Sequence, residues 1–223
     1  MIEKNLIKRI ITSFVLISIL FSMYISSMMM ILAAIVISAL SFYEFNRLIV
    51  KILKNTFLKF LSSGVILLYL FLFVFIIFWI ESVKVENPNY KLFFFYAIFV
   101  SIGSDLGGYI FGNIFKGKKL TKISPNKTIS GVIGAFIFSI LIIPIFYNDL
   151  KFININLLFL ATILISTISQ FGDLSISFLK RLAKVKDTGN IFPGHGGVLD
   201  RIDGMLFAAP VGLFLLDYIS IIK

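Results

Sequence analysis

The stretch FLSSGVILLYLFLFVFIIFWI, residues 60–80, determines what kind of fold this chain can adopt. It carries no charge, and about 20 apolar residues in a helix cross the hydrocarbon core of a bilayer. Similar apolar runs lie near residues 10–25, 28–46, 92–112, 130–147, 155–178 and 205–222. Because lipid offers no water to unpaired backbone groups, each run is expected to be helical. The sequence therefore predicts an all-α, polytopic membrane bundle with about seven transmembrane helices.

The composition supports a membrane protein and excludes some chemistry. Hydrophobic residues make up 59% of the chain and charged residues 14%, against about 25% charged residues in a soluble domain. The absence of cysteine excludes disulfides and thiolate metal sites. The first apolar run lacks a small-residue cleavage site, so we expect a retained helix rather than a signal peptide. We predict one transmembrane domain over residues 1–223, with N-terminal spans in 1–91 and the spans and loops of the site in 92–223.

The distribution of basic residues predicts the orientation of these spans. If the N-terminus is cytoplasmic, 17 of the 21 lysines and arginines lie on one side: Lys4, Lys8, Arg9, Arg47, Lys51, Lys54, Lys59, Lys116, Lys118, Lys119, Lys122, Lys127, Lys180, Arg181, Lys184, Lys186 and Arg201. Positive charge favours the cytoplasmic side, so the bias predicts an N-in, C-out topology. The same charge would attract anionic headgroups and cytoplasmic anions.

Two acids lie within predicted spans. Asp105 occurs in SIGSDLGGYIFG and Asp173 in STISQFGDLSISFLKR. An ionised Asp at the bilayer centre costs about 2.5–3.5 kcal/mol, so a partner, a cation or access to water at the cytoplasmic end is expected. Around Asp173 a stripe of polar residues shares one helix face and should look into the bundle or a cavity: Ser166, Ser169, Gln170 and Ser177. The glycines near Asp105 permit close helix packing or a broken helix. The two acids could converge on Mg²⁺.

Two basic loops lie on the predicted cytoplasmic side. The first loop, residues 116–128, leads into the fifth span, where Thr128 or Ser130 can cap the helix and form an anion site. Polyphosphate binding is the natural functional interpretation; an ordinary positive loop with a helix cap explains the charge but not the SPNKT order. The second loop, residues 177–204, contains PGHGGVLDRIDG, in which glycines expose backbone N–H groups. Acids for a metal and cations for phosphates at one face are typical of metal-assisted phosphoryl or nucleotidyl transfer.

Residues 177–203, SFLKR-(four)-KDTGNIFPGHGGVLDRID, resemble the signature of the phosphatidate cytidylyltransferases, also called CDP-diacylglycerol synthases. The pieces GSDLGGYIFG, ISPNKT and GDL, and Tyr43-Glu44-Phe45 at the end of the second span, occur in the order seen in that family. The resemblance covers the C-terminal half of the chain and, more loosely, the N-terminal half. It implies transfer of CMP from CTP to phosphatidic acid at the cytoplasmic face of a bacterial inner membrane, with Mg²⁺ and room for a second cation.

The resemblance also implies roles for individual residues. Asp173 and Asp200 would be metal ligands. The catalytic group would comprise Lys127, Asp105, Asp203, Lys180 and Arg181. The substrate-binding group would comprise Ser124, Asn126, Thr128, Lys186, Asp187, His195, Gly196, Gly197 and Arg201. Nucleic acid is not an expected partner, and a homodimer stays open. Because the lipid phosphate is an ionised nucleophile, the site needs positioning and charge neutralisation rather than a strong base.

Other functions remain open at this point. Ile176 stands where many members of the family carry Glu, which would suit an inactive or divergent relative. A cation-coupled transporter would use Asp105 and Asp173 as a relay but leaves the two loops without a task. A CDP-alcohol phosphotransferase or prenyltransferase would carry closely spaced acids such as D-G-x-x-A-R or N-D-x-x-D, and the chain has neither pattern.

Overall fold

A computed structural model describes residues 2–121, 124, 127–192 and 196–222, with residues 2–9 described by their backbone alone. The regular elements of these residues are helices: α1 Ile2–Ile25, α2 Ser27–Ile52, α3 Thr56–Ser82, α4 Asn89–Phe115, α5 Ile129–Ile140, α6 Ile143–Leu150, α7 Ile155–Leu182 and α8 Leu199–Ile221. Within the described part of the chain, extended pairing is limited to the isolated bridges Lys119–Thr128 and Phe192–Gly196.

Six of these helical stretches are long and apolar enough to cross a membrane: α2, α3, α4, α5 with α6, α7 and α8. The apolar part of α1, Ile10–Ile25, is a shorter seventh stretch. The predicted all-α, polytopic architecture is therefore confirmed. The N-in, C-out orientation stays a prediction.

The fifth span is one apolar stretch that breaks into α5 and α6. Pro144 lies in the first turn of α6 and has no N–H to donate to the carbonyl four residues earlier. Leu141 and Ile142 form a turn at this point, with Leu141 N–H donating to the Ile137 carbonyl at 3.1 Å. The proline thus explains why the helix is interrupted where the sequence predicted one continuous span.

The chain divides into two compact units. The first unit comprises Met1–Val83 and Leu179–Ile202, and the second comprises Lys84–Phe178 and Asp203–Lys223. The division passes through α7 and α8. The second loop therefore belongs with the N-terminal helices, an association that the sequence pattern did not indicate. The single transmembrane domain over residues 1–223 stays a prediction.

The first unit has an exposed apolar surface on α1 and α3 and a buried polar face on α2. Large apolar side chains on the neighbouring helices are exposed, with Phe14 at 72% and Phe60 at 79% of their full area. Such surface is expected where acyl chains replace water. The buried face of α2 carries Ala34, Ser38, Ser41 and, near its end, Glu44. A buried acid on this face needs partners, which the second loop supplies.

In the second unit, α4 packs closely against α5 through glycines. A Cβ added to Gly107 would fall on the carbonyl of Gly134, and a Cβ on Gly134 would fall on Phe111. Helix α4 runs unbroken from Asn89 to Phe115. Of the two possibilities that the glycines left open, close packing is therefore confirmed and a broken helix is not.

The polar stripe of α7 faces protein, as predicted. Ser166 accepts from Ser139 of α5 at 2.9 Å and donates to Ser104 of α4 at 3.1 Å. Ser101 and Ser169 share a hydrogen bond of 2.6 Å. These five serines are buried, so their hydroxyls join α4, α5 and α7 where lipid could not satisfy them.

Candidate active site

The helix ends differ from the sequence prediction at the second loop. Helix α7 continues to Leu182 and α8 begins at Leu199, so the connecting loop is shorter than predicted. Lys180 and Arg181 lie in the last turn of α7. The expectation that Asp200 to Asp203 lie on a loop is wrong, because these residues lie in α8, with Asp200 in its first turn. An acid is favoured in a first helical turn, where the free N–H groups carry partial positive charge.

Asp200 is the centre of a buried polar cluster in the first unit. Its Oδ1 accepts from Lys180 Nζ at 2.7 Å. Its Oδ2 accepts from the N–H groups of Thr188 at 2.8 Å and Gly197 at 3.0 Å, and lies 3.0 Å from Thr188 Oγ1. The side chains of Lys180 and Asp200 are only 12% and 5% exposed. The carboxylate thus ties the end of α7 and both sides of the second loop to the start of α8.

Glu44 is a second buried carboxylate in this cluster, and sequence reasoning gave it no role. It is fully buried and accepts from Thr188 Oγ1 at 2.7 Å, Val198 N–H at 3.0 Å and Leu199 N–H at 2.9 Å. The two backbone donors lie at the start of α8, whose first N–H groups have no partner within the helix. A Glu near the end of an apolar span was the available signal, since such an acid needs a partner.

Glycines let the second loop approach these carboxylates. A Cβ on Gly197 would fall on Glu44 and Thr188, and a Cβ on Gly189 would fall on Glu44. Gly196 has a φ of +87°, and a Cβ there would lie 2.9 Å from Asp200 Oδ2 and 3.4 Å from Asp187. The predicted site residues Lys180, Asp187, Gly196, Gly197 and Asp200 are therefore neighbours. The Gly197 N–H already serves Asp200.

The second unit contains a more open acid–base pair. Lys127 Nζ forms an ion pair with Asp173 Oδ2, and the two side chains are 25% and 27% exposed. Ser177 Oγ donates to Asp173 Oδ1 at 3.3 Å. Asp173 therefore has two donors, and about half of the lone-pair positions of a carboxylate remain for other ligands.

The first loop folds back on the start of α5. Thr128 Oγ1 accepts from Gly131 N–H at 3.1 Å, which confirms one of the two predicted caps. Ser130 Oγ instead accepts from Gly117 N–H at 3.2 Å and lies 2.9 Å from Thr128 Oγ1. The backbone of Leu120 donates to the Lys127 carbonyl at 2.8 Å. These contacts place Lys127, Thr128 and Asp173 together.

The remaining predicted residues are scattered. Asp105 is exposed on α4, whereas Asp203 is buried on α8. The side chains of Arg181, Lys186, Asp187 and Arg201 are exposed. Ser124 is half-buried, and its N–H donates to Thr121 at 3.2 Å. Asn126 and His195 lie outside the described residues. Ile176 is buried on α7.

The donor chemistry fits Mg²⁺ at single carboxylates. Within each unit, the described residues include no group of three or more His, Asp or Glu side chains that could hold a metal. Magnesium is commonly held by one or two carboxylates plus substrate phosphates, so three acids are not required. Asp173 offers partly exposed carboxylate oxygens, which are hard donors. Asp200 has less free capacity, because Oδ1 accepts from Lys180 and Oδ2 accepts from the N–H groups of Thr188 and Gly197.

Fold and site together define an integral membrane protein of helical spans with two lysine–aspartate pairs. The chain belongs to the Cytidylyltransferase family, whose profile matches residues 47–219. It is 43% identical over 133 residues to a phosphatidate cytidylyltransferase of Staphylococcus haemolyticus, covering 58% of this chain and 50% of that protein. It is 45% identical over 129 residues to that of Staphylococcus epidermidis (56% and 48%), and 42% over 130 residues to that of Bacillus subtilis (57% and 48%). The chain matches about half the length of these curated relatives.

Proposed function

We propose that this protein is a phosphatidate cytidylyltransferase, which transfers CMP from CTP to phosphatidic acid and yields CDP-diacylglycerol and pyrophosphate. One observation carries the proposal. In a chain of the Cytidylyltransferase family, three described residues of the 177–203 signature, Lys180, Thr188 and Gly197, bond the buried Asp200 carboxylate. The names of the relatives supply the reaction. The lipid substrate suits a protein of membrane spans.

The proposed reaction needs little covalent chemistry from the protein. A phosphate oxygen of phosphatidic acid forms a bond to the α-phosphorus of CTP, the bond to the β-phosphate breaks, and pyrophosphate leaves with the electron pair. The nucleophile is already ionised, so positioning and neutralisation of charge supply the rate enhancement. We assign that work to Lys127 and Lys180, with Arg181, Lys186 and Arg201 as exposed cations for the phosphates.

We also propose Mg²⁺ as the cofactor, with Asp173 and Asp200 each a candidate ligand and with room for a second cation. Bound Mg²⁺ would neutralise phosphate charge and polarise the reacting phosphorus. Asp173 is the better placed of the two acids, because it is more exposed and has fewer competing donors. The ammonium group of Lys127 beside it would bind phosphate oxygens as a point charge.

The proposed setting is a bacterial inner membrane, with the N-terminus and the active site facing the cytoplasm and the C-terminus outside. The bias of basic residues supports this orientation. The cysteine-free chain allows a direct test with single cysteines introduced at Lys54 and at Lys84. In intact cells, a membrane-impermeant maleimide should label position 84 and spare position 54. The reverse pattern would contradict the orientation.

The enzyme assay uses purified protein in detergent with CTP, phosphatidic acid and Mg²⁺. The expected products are CDP-diacylglycerol and an equal amount of pyrophosphate. Asp173→Asn should abolish turnover, and Asp149→Asn is the matched control because Asp149 is an exposed acid on the opposite predicted side. Absence of product from folded wild-type protein would contradict the proposal. Ion flux in liposomes without any response to CTP would support the transporter instead.

A further inference from the structure

Glu44 is a buried acid, and its hydrogen bonds with described residues all come from the second loop and the start of α8. Its carboxylate is fully buried, and its three donors are the uncharged groups of Thr188, Val198 and Leu199. A buried carboxylate without its hydrogen bonds would cost several kcal/mol, so this arrangement depends on all of its donors. Gly189 and Gly197 leave the space that the carboxylate fills.

The contacts of Glu44 fix the first turn of α8. Val198 and Leu199 present N–H groups that no earlier turn of the helix can satisfy, and Glu44 accepts from both. A carboxylate at this position also interacts favourably with the positive end of the helix dipole. Asp200 is the next residue, so the position of its side chain depends on how that first turn is held.

Thr188 links Glu44 directly to Asp200. Its hydroxyl lies 2.7 Å from Glu44 Oε2 and 3.0 Å from Asp200 Oδ2, and its backbone N–H donates to the same Asp200 oxygen. A hydroxyl carries a single proton, so the Thr188 hydroxyl can donate to only one of the two carboxylates at a time. Thr188 is 3% exposed, and Glu44 is therefore coupled to Asp200 through one buried, rigid side chain.

We propose that Glu44 is a positioning residue for nucleotidyl transfer, acting through Thr188 and the first turn of α8 to hold Asp200 in its reactive orientation. This inference rests on the proposed function. Glu44 is fully buried against Thr188, Val198 and Leu199, so we assign it no direct contact with substrate. Its effect is therefore on the rate of the chemical step rather than on the affinity for CTP, because a small displacement of a reacting group lowers the rate steeply.

Two substitutions separate this role from general packing. Glu44→Gln keeps the shape but replaces one acceptor oxygen with an NH₂ group. Since one oxygen accepts from Val198 and the other from Leu199, the amide must place a donor against a backbone donor. Thr188→Val removes the hydroxyl link at nearly constant volume, and Thr188→Ser restores it. Ser63→Ala is the matched control, because it removes a side-chain hydrogen bond to Asn46 of α2 without changing Glu44, Thr188 or the start of α8.

The kinetic test measures kcat and the KM for CTP of each purified variant, per mole of folded protein. We expect Glu44→Gln and Thr188→Val to lower kcat about tenfold or more, with KM changed by less than about threefold. Thr188→Ser and Ser63→Ala should stay within about twofold of wild type. Wild-type kcat in Glu44→Gln and Thr188→Val would overturn the inference, and so would a loss in Thr188→Val that Thr188→Ser does not rescue.

Amide hydrogen exchange provides a readout that does not depend on activity. Peptides covering residues 188–201 should exchange about tenfold faster in Glu44→Gln and Thr188→Val, while peptides of α4 stay unchanged. If wild-type protein makes no CDP-diacylglycerol, the proposed function fails, and unchanged exchange in these variants would overturn the positioning role separately. Should Glu44→Gln fail to fold, the Thr188 pair still decides the question.

Discussion

The two lysine–aspartate pairs of this protein differ in burial and in what surrounds the acid. Asp200 in the first unit is 5% exposed and is surrounded by Lys180, Thr188 and Gly197. Asp173 in the second unit is 27% exposed and has Lys127 and Ser177 as partners. The first acid organises its loop and helix, whereas the second keeps oxygen lone pairs for a ligand. Asp200 and Asp173 have the same implied role in the family, but Asp200 contributes more to the folded structure than Asp173 does.

The largest expected difference between the two acids is in stability. Asp200→Asn leaves the Lys180 ammonium buried without its counter-ion, and such a change costs about 3–5 kcal/mol. Asp173→Asn breaks a partly exposed pair, for which about 0–1 kcal/mol is expected. Free energies of unfolding from denaturant titration of the purified variants measure both. Equal losses of unfolding free energy in the two variants would contradict the proposed difference between the two acids.

A smaller effect is expected from closing the space beside Glu44. Gly197→Ala places a methyl group on the oxygens of Glu44 and Thr188, so the loop must shift at a cost of about 1–3 kcal/mol. Gly64→Ala is the matched control, because its methyl group would meet nothing within 4 Å. That helical change should stabilise the protein by about 0.5–1 kcal/mol. The melting temperatures should move in opposite directions, and a Gly197→Ala protein as stable as wild type would contradict the packing described here.

The two lysines should also differ in their effect on stability, by less than the two acids. Lys180→Met leaves Asp200 with its N–H and hydroxyl donors, so a loss of about 1–3 kcal/mol is expected. Lys127→Met should change the unfolding free energy by less than about 1 kcal/mol, because its pair is a quarter exposed. Its proposed role toward phosphate predicts instead a rise in the KM for CTP. An unchanged KM for CTP in Lys127→Met would contradict the proposed role of Lys127 toward phosphate.

The sequence predicted the membrane spans well because the bilayer sets the length of an apolar helix. It missed the true ends of α7 and α8, since the apolar runs stop at residues 178 and 205 while the helices include charged residues beyond them. Lys180 in the last turn of α7 and Asp200 in the first turn of α8 pair with each other. The predicted spans end where the apolar run ends, whereas α7 and α8 extend into the charged residues beside those runs.

The helix cap in the first loop could be predicted because its contacts are local. The Thr128 cap follows from three neighbouring residues, and the structure confirms it. Glu44 meets Val198 and Leu199 from a distant part of the chain, so no local pattern could assign it a task. The glycines at 194, 196 and 197 were predicted to let the backbone approach a ligand; the contact of Gly197 with Glu44 was not predicted. Long-range pairing of buried acids with backbone donors is visible only in the folded chain.

The most direct test of the proposed function is an assay with purified protein that follows transfer of labelled CMP from CTP to phosphatidic acid. Wild-type protein is compared with Asp173→Asn. Wild-type protein should form CDP-diacylglycerol and equimolar pyrophosphate. Asp173→Asn should have the same melting temperature and form no product above background. Turnover by Asp173→Asn at the wild-type rate, or a folded wild-type protein that forms no CDP-diacylglycerol, would contradict it.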